Sequence, residues 1–375
     1  MTRSMCVAAL GCVLSCACRE ATAPGAGSFV SVTAGQLHSC GLATDSAAYC
    51  WGINGYGQVG IGGNAAGQVV VPARVPGDLA FAALIAGSLH TCAFTAEGAA
   101  YCWGRNYVGA LGNGSKANSN VPVPVSGGLR FTALTAGVDF TCGLTTAGDA
   151  YCWGNGVNGE LGNGADSSSS VPVPVAGGIT FAGLSAGGFA ACGVAASGAA
   201  YCWGANFFGQ LGNGSHIDAT APIPVSGNLA FATVRPGGLH TCGVTKDGAA
   251  YCWGSNYDGA LGTGDTVSST TPVAVAGGHG YVSLSAGGRH TCGLTAGGSA
   301  YCWGYGPQGA LGNGSTGNSL VPAPVSGGLS FMAIAAGSVH TCALAASGAA
   351  YCWGTAILGD GISSFSTTPV RVKGP

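Results

Sequence analysis

The chain has 375 residues, of which 71 are glycine and 47% are hydrophobic, with only 11 basic and 13 acidic side chains. The scattered positive charge excludes nucleic acid as a partner, because phosphate binding depends on clustered Lys and Arg, and the apolar content excludes acidic disorder. The length exceeds that of one small compact domain, so repeats or several domains are expected.

The N-terminus, residues 1–18, has the pattern of an export signal. One basic residue precedes an uncharged stretch that has the length of a signal-peptide core and is too short to cross a bilayer. The tetrapeptide V-L-S-C ending at Cys16 resembles a bacterial lipoprotein cleavage box, and a weaker version ends at Cys18, so lipidation at Cys16 or Cys18 is expected. Residues 19–28 then form a flexible tether. Cleavage near Ala23, giving a freely secreted protein, is the alternative.

A unit of about 50 residues follows in seven copies. Each copy carries Tyr-Cys-Trp-Gly, and together they contain every tryptophan of the chain, at Trp51, Trp103, Trp153, Trp203, Trp253, Trp303 and Trp353. Four short apolar stretches recur in each copy, in the fifth at residues 230–234, 240–245, 249–253 and 272–275, and these predict strands. The connection 246–248 ends in glycine, which predicts a tight hairpin between the second and third strands.

Seven units of four antiparallel strands predict an all-β fold, a seven-bladed β-propeller over residues 29–373. The strands are apolar on both faces, so every small sheet must be covered on both sides, as in a ring of radially packed sheets. An open solenoid would need polar end caps, which the first and last copies lack. The chain begins with a first-type strand and ends with a fourth-type strand. We therefore expect the N- and C-terminal strands to close the ring by pairing Phe29 to Val32 with Pro369 to Val372.

The order of residues within the unit is specific. A-G-x-x-H-T-C-G-L, followed by Y-C-W-G-x-N-x-x-G-x-L-G-N-G and P-V-P-V, resembles the regulator of chromosome condensation repeat over about nine tenths of the chain. The resemblance implies a seven-bladed propeller. The family's eukaryotic founder is a nuclear guanine-nucleotide exchange factor that binds chromatin, and secreted bacterial relatives include a protein inhibitor of β-lactamases. We expect a bacterial, exported member, and nuclear exchange activity is not carried over because the basic character is absent.

Fourteen cysteines form seven pairs within the repeats, always ten residues apart. The hairpin places the two members of a pair opposite each other on one face, so seven disulfides within the units and an oxidising compartment are expected. The pairs are Cys40 with Cys50, Cys92 with Cys102, Cys142 with Cys152, Cys192 with Cys202, Cys242 with Cys252, Cys292 with Cys302, and Cys342 with Cys352. Zinc bound by cysteine and the repeated histidine is the rival interpretation. Phe140 and Ala190 replace that histidine in two copies that keep their cysteines, so no metal or other cofactor is expected. The histidines are expected to hydrogen-bond backbone between units.

Strand direction places the A-G-x-x and W-G-x-N segments at one end of every unit, the same end as the long, variable loops. Aromatic residues with a few arginines at the variable positions have the character of interface anchors. The candidate binding residues are Tyr56, Arg105, Tyr107, Phe207, Phe208, Tyr257, Arg289 and Tyr305, with Asp258, Leu37, Leu89, Asp139, Phe189 and Leu239 beside them. The alternative is that these side chains only cover neighbouring backbone.

Candidates for catalysis are few. The acidic residues do not recur at equivalent positions, and His216 and His279, which fall outside the repeated histidine position, have no catalytic partner near them in the sequence. We therefore expect a monomeric, non-enzymatic, extracytoplasmic scaffold, secreted or held at the bacterial envelope by its lipid, that binds a protein or a surface glycan. The alternative is a secreted polysaccharide lyase or hydrolase that uses the axial channel, and an exchange factor is a third possibility.

Overall fold

The computed structural model describes residues 28–63 and 67–375. The expected signal peptide, residues 19–27 of the tether, and the two candidate lipidation sites lie outside the described residues. Every regular secondary-structure element assigned within the described ranges is a β-strand, and each repeat contributes four strands.

The strands fall into four sets by their position in the repeat. The first strands are β1 (Phe29–Ala34), β5 (Phe81–Ala86), β9 (Phe131–Ala136), β13 (Phe181–Gly187), β17 (Phe231–Pro236), β21 (Tyr281–Ala286) and β25 (Phe331–Ala336). The second strands are β2 (His38–Ala43), β6 (His90–Thr95), β10 (Phe140–Thr145), β14 (Ala190–Ala195), β18 (His240–Thr245), β22 (His290–Thr295) and β26 (His340–Ala345). The third strands are β3 (Ala48–Ile53), β7 (Ala100–Gly104), β11 (Ala150–Gly154), β15 (Ala200–Gly204), β19 (Ala250–Gly254), β23 (Ala300–Gly304) and β27 (Ala350–Thr355). The fourth strands are β4 (Gln68–Arg74), β8 (Ser119–Pro124), β12 (Ser169–Pro174), β16 (Ala219–Pro224), β20 (Ser269–Ala274), β24 (Ser319–Pro324) and β28 (Phe365–Arg371).

Each repeat forms one antiparallel sheet whose strands lie side by side in chain order. The first strands of neighbouring sheets contact one another, so they are the innermost strands around a common axis and the fourth strands are the outermost. This arrangement is the seven-bladed β-propeller with four-stranded antiparallel blades that the sequence predicts. The blades are numbered 1 to 7 in chain order.

The ring is not closed by the terminal strand pairing that the sequence suggested. The expected pairing between Phe29 to Val32 and Pro369 to Val372 does not form, because β1 pairs with β2 and β28 pairs with β27. β1 is the innermost strand of blade 1 and β28 is the outermost strand of blade 7, so the other strands of blade 7 separate them. Blades 7 and 1 meet as other neighbours do, with β1 against β25 and β26.

A ring of backbone hydrogen bonds surrounds the axis where the A-G-x-x loops meet. At six of the seven blade boundaries in the described chain, an N–H of one loop donates to a carbonyl oxygen of the loop in the next blade. The N–H of Gln36 bonds Ser88, for example, and that of Ser338 closes the circle by bonding Gly35, both at 3.1 Å. These bonds set the spacing of the blades at the end of the ring where the A-G-x-x loops lie.

The tryptophans form the core between blades. All seven are fully buried, and each packs against the aromatic residue that begins its own blade, as Trp153 does with Phe131 at a ring separation of 5.7 Å. The indole N–H of Trp153 donates to the Ala110 carbonyl in blade 2 at 2.9 Å, which links the two blades. Gly143 leaves room for the Phe131 ring, since a Cβ at that position would lie 2.4 Å from Cδ1 of Phe131.

All seven cysteine pairs are disulfide-bonded within their blades. In each blade the two cysteines face each other directly across the second and third strands, as Cys142 and Cys152 do with Cα atoms 4.0 Å apart. The other six pairs have the same register and Cα separations of 4.0 to 4.1 Å. Seven buried disulfides indicate that the protein matures in an oxidising environment.

Candidate functional site: the loop-bearing face

One end of the ring carries all the variable loops. In each blade the A-G-x-x loop and the segment after Trp-Gly are joined by a backbone hydrogen bond, such as the Arg105 N–H to the Leu89 carbonyl at 2.9 Å. The long connections between the third and fourth strands start from the same segment. We call this end the loop-bearing face.

A buried asparagine holds each long loop of blades 2, 4 and 5. The Asn206 side chain is fully buried; its Oδ1 accepts from the Leu211 N–H at 2.9 Å, and its Nδ2 donates to the carbonyls of Ser215 and Ile217 at 3.0 and 3.1 Å. Asn106 and Asn256 make the same bonds. The repeated asparagine is therefore structural, and it presents the loop tips on a fixed frame.

The first aromatic cluster joins blades 1, 2 and 3. The rings of Tyr56 and Tyr107 meet edge to face at 5.9 Å. The guanidinium carbon of Arg105 lies 5.7 and 5.3 Å from the two ring centres, and Arg105 Nη2 reaches Asp139 Oδ2 at 3.4 Å. Four residues that are far apart in the sequence thus form one contiguous patch.

The second aromatic cluster joins blades 4, 5 and 6. Phe208 and Tyr257 meet edge to face at 6.4 Å, at the positions that Tyr56 and Tyr107 occupy in blades 1 and 2. Arg289 binds Asp258 through Nη2 and Nε, both 2.6 Å from Oδ2, and its guanidinium carbon lies 4.4 Å from the centre of the Tyr305 ring.

A row of exposed apolar side chains crosses four consecutive blades. The residue four positions after the core tryptophan is 55% exposed at Tyr107, 60% at Val157, 65% at Phe207 and 68% at Tyr257. We call these four residues the apolar arc. Val157 was not among the residues predicted from the sequence because it is not aromatic, although its position in the repeat marks it. Ile217 and Val267, at 75% and 70% exposed, were also missed, and an apolar residue in a polar loop was the available signal.

The other residues expected on this face are less prominent. Phe189 is 41% exposed, whereas Leu37, Leu89 and Leu239 are half-buried. These leucines lie in the A-G-x-x loops, where they support the neighbouring segments.

A recess of about 200 Å³ lies between blades 5 and 6. Leu239, Ser255, Tyr257, Ala260 and Arg289 are among the residues that line it. In blade 2 the long side chain of Arg105 stands at the position of Ser255, so the short serine leaves this volume open beside Tyr257. A recess beside an exposed aromatic ring is a typical anchor point for a partner's side chain.

The repeated histidines lie between blades, but their partner is a hydroxyl group. His290 Nε2 is 2.9 Å from Thr341 Oγ1 in the next blade, and that hydroxyl donates to the Ala310 carbonyl at 2.9 Å. The threonine proton is thus committed, so Nε2–H of the histidine is the donor. The expected link to backbone is made through the threonine, which stands between the two groups, and at His340 the backbone of Gln36 in blade 1 also interacts with the imidazole.

All five histidines of this type are held neutral. Burial is the main cause of their lowered pKa values, which fall to about 3 for His38 and His290 and to about 4 for His90, His240 and His340. Between blades 3 and 4 both partners change together, with Phe140 and Ala191 at the histidine and threonine positions, each buried. A polar pair at one boundary is replaced by an apolar pair at another.

The axial channel has a different chemistry from the face. Its cavity of about 150 Å³ is lined by three residues from each A-G-x-x loop, mostly alanine and glycine. Polar side chains enter the lining at Gln36, Ser88 and Ser338, and the lining residues include no carboxylate or imidazole. This lining offers a lyase or hydrolase neither an acid nor a base, so it gives the enzymatic alternative no support.

The two unusual histidines are far apart. His216 is exposed in a long loop, with Nδ1 3.2 Å from the Phe207 carbonyl, whereas His279 lies in the connection to blade 6 and stacks on Tyr301 at 4.1 Å. In the described ranges, no three His, Cys, Asp or Glu side chains are grouped as metal ligands, and no helix is long and apolar enough to cross a membrane.

Comparison with known proteins identifies the family. A model of the RCC1-like domain matches residues 10–332, and a model of the regulator of chromosome condensation (RCC1) repeat matches residues 333–355. The chain therefore belongs to the RCC1-like domain family, as its propeller and repeat indicate.

Individual relatives are distant. The ultraviolet-B receptor UVR8 of Arabidopsis thaliana is 32% identical over 94 residues, which is 25% of this chain and 21% of that protein. Prp20p of Saccharomyces cerevisiae, described with its binding to Gsp1p and histones, superposes with a TM-score of 0.78 at 23% identity, covering 92% of this chain and 88% of that one. Human WBSCR16 gives 0.77 at 21% identity, over 84% and 87%. The matched part spans about a fifth of UVR8, and the structural likeness is one of fold.

Proposed function

We propose that this protein is a non-enzymatic binding scaffold that works outside the cytoplasm and engages a protein partner through its loop-bearing face. The apolar arc carries the proposal: four exposed apolar side chains at equivalent positions of neighbouring blades, running from Tyr107 in the first aromatic cluster to Tyr257 in the second. Protein interfaces use such residues as anchors. The loops that present Tyr107, Phe207 and Tyr257 are held by buried asparagines, so binding costs little additional conformational entropy.

A protein partner agrees with what is known of a structural neighbour. Prp20p binds Gsp1p and histones, which supports the use of this propeller for protein recognition. Its particular partners are not proposed here, because the present chain carries few and scattered basic residues. A surface glycan is the other partner compatible with exposed aromatic rings, and the binding experiment distinguishes the two.

The disulfides support an extracytoplasmic location, and we propose that the leader is removed and that Cys16 or Cys18 anchors the monomeric protein to the bacterial envelope. Mass spectrometry of the N-terminal peptide from the native host tests the anchor. A diacylglyceryl-modified cysteine at position 16 or 18 is the expected result. An unmodified N-terminus near Ala23 would instead make the protein freely secreted.

The loop-bearing face is tested by truncating the three aromatic residues of the apolar arc. The mature protein is used to capture partners from envelope extract and to probe a glycan array, and a variant with Tyr107, Phe207 and Tyr257 changed to Ala is tested in parallel. We expect about a tenfold or greater loss of the captured protein, because aromatic anchors carry most of an interface's binding energy. Ser255→Arg, which fills the recess as Arg105 does in blade 2, should weaken capture as well.

A matched control carries the same kind of truncation elsewhere. Val121, Val171 and Val321 are exposed apolar residues on the outermost strands, so changing these three to Ala should leave capture unchanged. If the arc variant and the control capture equal amounts of the partner protein, the loop-bearing face is not the binding surface. Binding to the array without any captured protein would move the proposal from a protein to a glycan partner.

A further inference from the structure

The innermost strands carry a single charge. Among the seven strands that surround the axis, Arg235 of β17 is the one charged residue, and none of the seven contains an aspartate or glutamate. The equivalent positions hold small or apolar residues, namely Thr33, Ile85, Thr135, Ser185, Ser285 and Ala335.

Arg235 has no counter-charge. In the described part of the chain the two ion pairs are Arg105 with Asp139 and Arg289 with Asp258, so Arg235 belongs to neither. Its side chain is exposed, and it stands on an innermost strand at the position from which Thr33 reaches the first strand of the next blade. The neighbouring protein lowers the pKa of the guanidinium through desolvation.

At three of the seven blade boundaries the same position supplies a hydrogen-bond acceptor to the next blade. The Thr33 hydroxyl accepts from the Ala86 N–H at 3.1 Å, Thr135 from Ala186 at 2.7 Å, and Ser285 from Ala336 at 2.9 Å. These N–H groups lie on the free inner edge of the first strand, so they face the channel and not the sheet.

At the boundary of blades 5 and 6 the acceptor is replaced by a donor. The corresponding N–H belongs to Ala286, and Arg235 cannot accept a hydrogen bond because a guanidinium has donors only. The Ala286 N–H therefore receives no acceptor from position 235, where a guanidinium stands in place of a hydroxyl. The residues that line the axial cavity, which include Pro236 directly after Arg235, carry no negative charge.

We propose that Arg235 and the Ala286 N–H form a binding site for a small oxyanion in the axial channel. Phosphate, sulfate and carboxylate groups share the chemistry that this site requires, an anionic oxygen that accepts from a guanidinium and from a backbone amide. The bound anion supplies the counter-charge and the hydrogen-bond acceptor that this position lacks. This site lies next to the A-G-x-x loop of blade 5, shares no residue with the apolar arc, and does not depend on the proposed partner.

The experiment measures anion binding directly. Calorimetric titrations of the mature protein with sodium phosphate, sodium sulfate and sodium acetate are carried out at constant ionic strength, set with sodium chloride. Arg235→Thr removes the charge and restores the hydroxyl found at Thr33 and Thr135. Arg130→Thr makes the same substitution at an exposed arginine and serves as the control.

We expect the wild-type protein to bind at least one of the three oxyanions, Arg235→Thr to bind it about tenfold more weakly or not at all, and Arg130→Thr to match the wild type. Thermal unfolding is measured as well, so that an effect of Arg235→Thr on folding is distinguished from a loss of the anion site. In chloride alone the variant should unfold at a higher temperature than the wild type, since an unpaired charge has been removed, and added anion should narrow this gap.

Two results would overturn the site. One is the absence of binding of all three oxyanions to the wild type. The other is equal affinity of the wild type and Arg235→Thr, together with a gap in unfolding temperature that does not respond to the anion.

Discussion

At the scale of single residues, the repeat shows why certain positions hardly vary. The final position of the hairpin turn has a positive φ, +87° at Gly248 and 65° at Ser46, the residue that replaces glycine in the first copy. Glycine adopts this conformation without strain, whereas serine does so at a cost. The threonine that follows the repeated histidine is fixed for another reason. Its hydroxyl accepts a hydrogen bond from the histidine of the preceding blade and donates one to a backbone carbonyl.

The histidine and threonine at a blade boundary are expected to be energetically coupled. Thr341→Ala leaves the His290 Nε2–H buried without an acceptor, which should cost about 1–3 kcal/mol of the free energy of unfolding. The double variant His290→Phe/Thr341→Ala installs the pair found between blades 3 and 4. It should cost less than the sum of the two single variants, by about 1 kcal/mol. Urea unfolding of the four proteins measures the coupling.

Phe140→His provides the reverse test. It introduces an imidazole opposite Ala191, which offers no hydroxyl, and should destabilise the protein unless Ala191→Thr accompanies it. Strictly additive effects at both boundaries would show that the two positions act independently.

At the scale of elements, the strands follow closely from the sequence. In the fifth copy the second strand begins and ends where it was predicted, at 240 and 245, and the first and third are shifted by one or two residues. The fourth strand begins at Ser269, three residues before the predicted start. The outer strand is polar at that end, so its apolar pattern underestimates its length, and its backbone pairing with Gly254 extends it.

At the scale of the whole molecule, each blade is bonded to its neighbours, and the boundary of blades 7 and 1 departs from the pattern of the others. Ser39 takes the place of threonine opposite His340 at 2.8 Å, and the Trp51 indole N–H has no partner among the described residues. Repeated contacts between neighbouring blades hold the ring together. Because five of these boundaries bury a histidine, the same titration occurs at all five.

Acid is expected to destabilise the folded protein. The five inter-blade histidines have pKa values of about 3 to 4 in place of 6.5, so between these limits the unfolded chain binds more protons than the folded one. The free energy of unfolding therefore falls as the pH is lowered from 6.5, by up to about 1.4 kcal/mol per pH unit for each histidine. Urea midpoints measured from neutral pH down to about pH 5 report the slope.

A variant with fewer such histidines is the control. His290→Phe/Thr341→Ala retains four of the five, so its stability should depend less steeply on pH. A urea midpoint that is constant from neutral pH to pH 5, or an unchanged slope in this variant, would contradict the assignment.

Much of the candidate site could be anticipated from the repeat, and some of it could not. The end of the ring that carries Tyr107 and Tyr257 follows from strand direction, because loops that leave successive antiparallel strands alternate between the two ends. The packing of Tyr56 on Arg105, and of Arg289 against Asp258, joins residues of different blades. No spacing within one repeat contains that information.

The regular spacing of tryptophan, cysteine and glycine is enough to establish seven four-stranded blades and seven disulfides, since each blade is built from contiguous chain and local pairing. The closure of the ring, the hydroxyl between histidine and backbone, and the surroundings of Arg235 on its innermost strand depend on how neighbouring blades meet. Those contacts join residues about 30 to 50 positions apart, or more than 300 at the boundary of blades 7 and 1, and they emerge when the blades pack around a common axis.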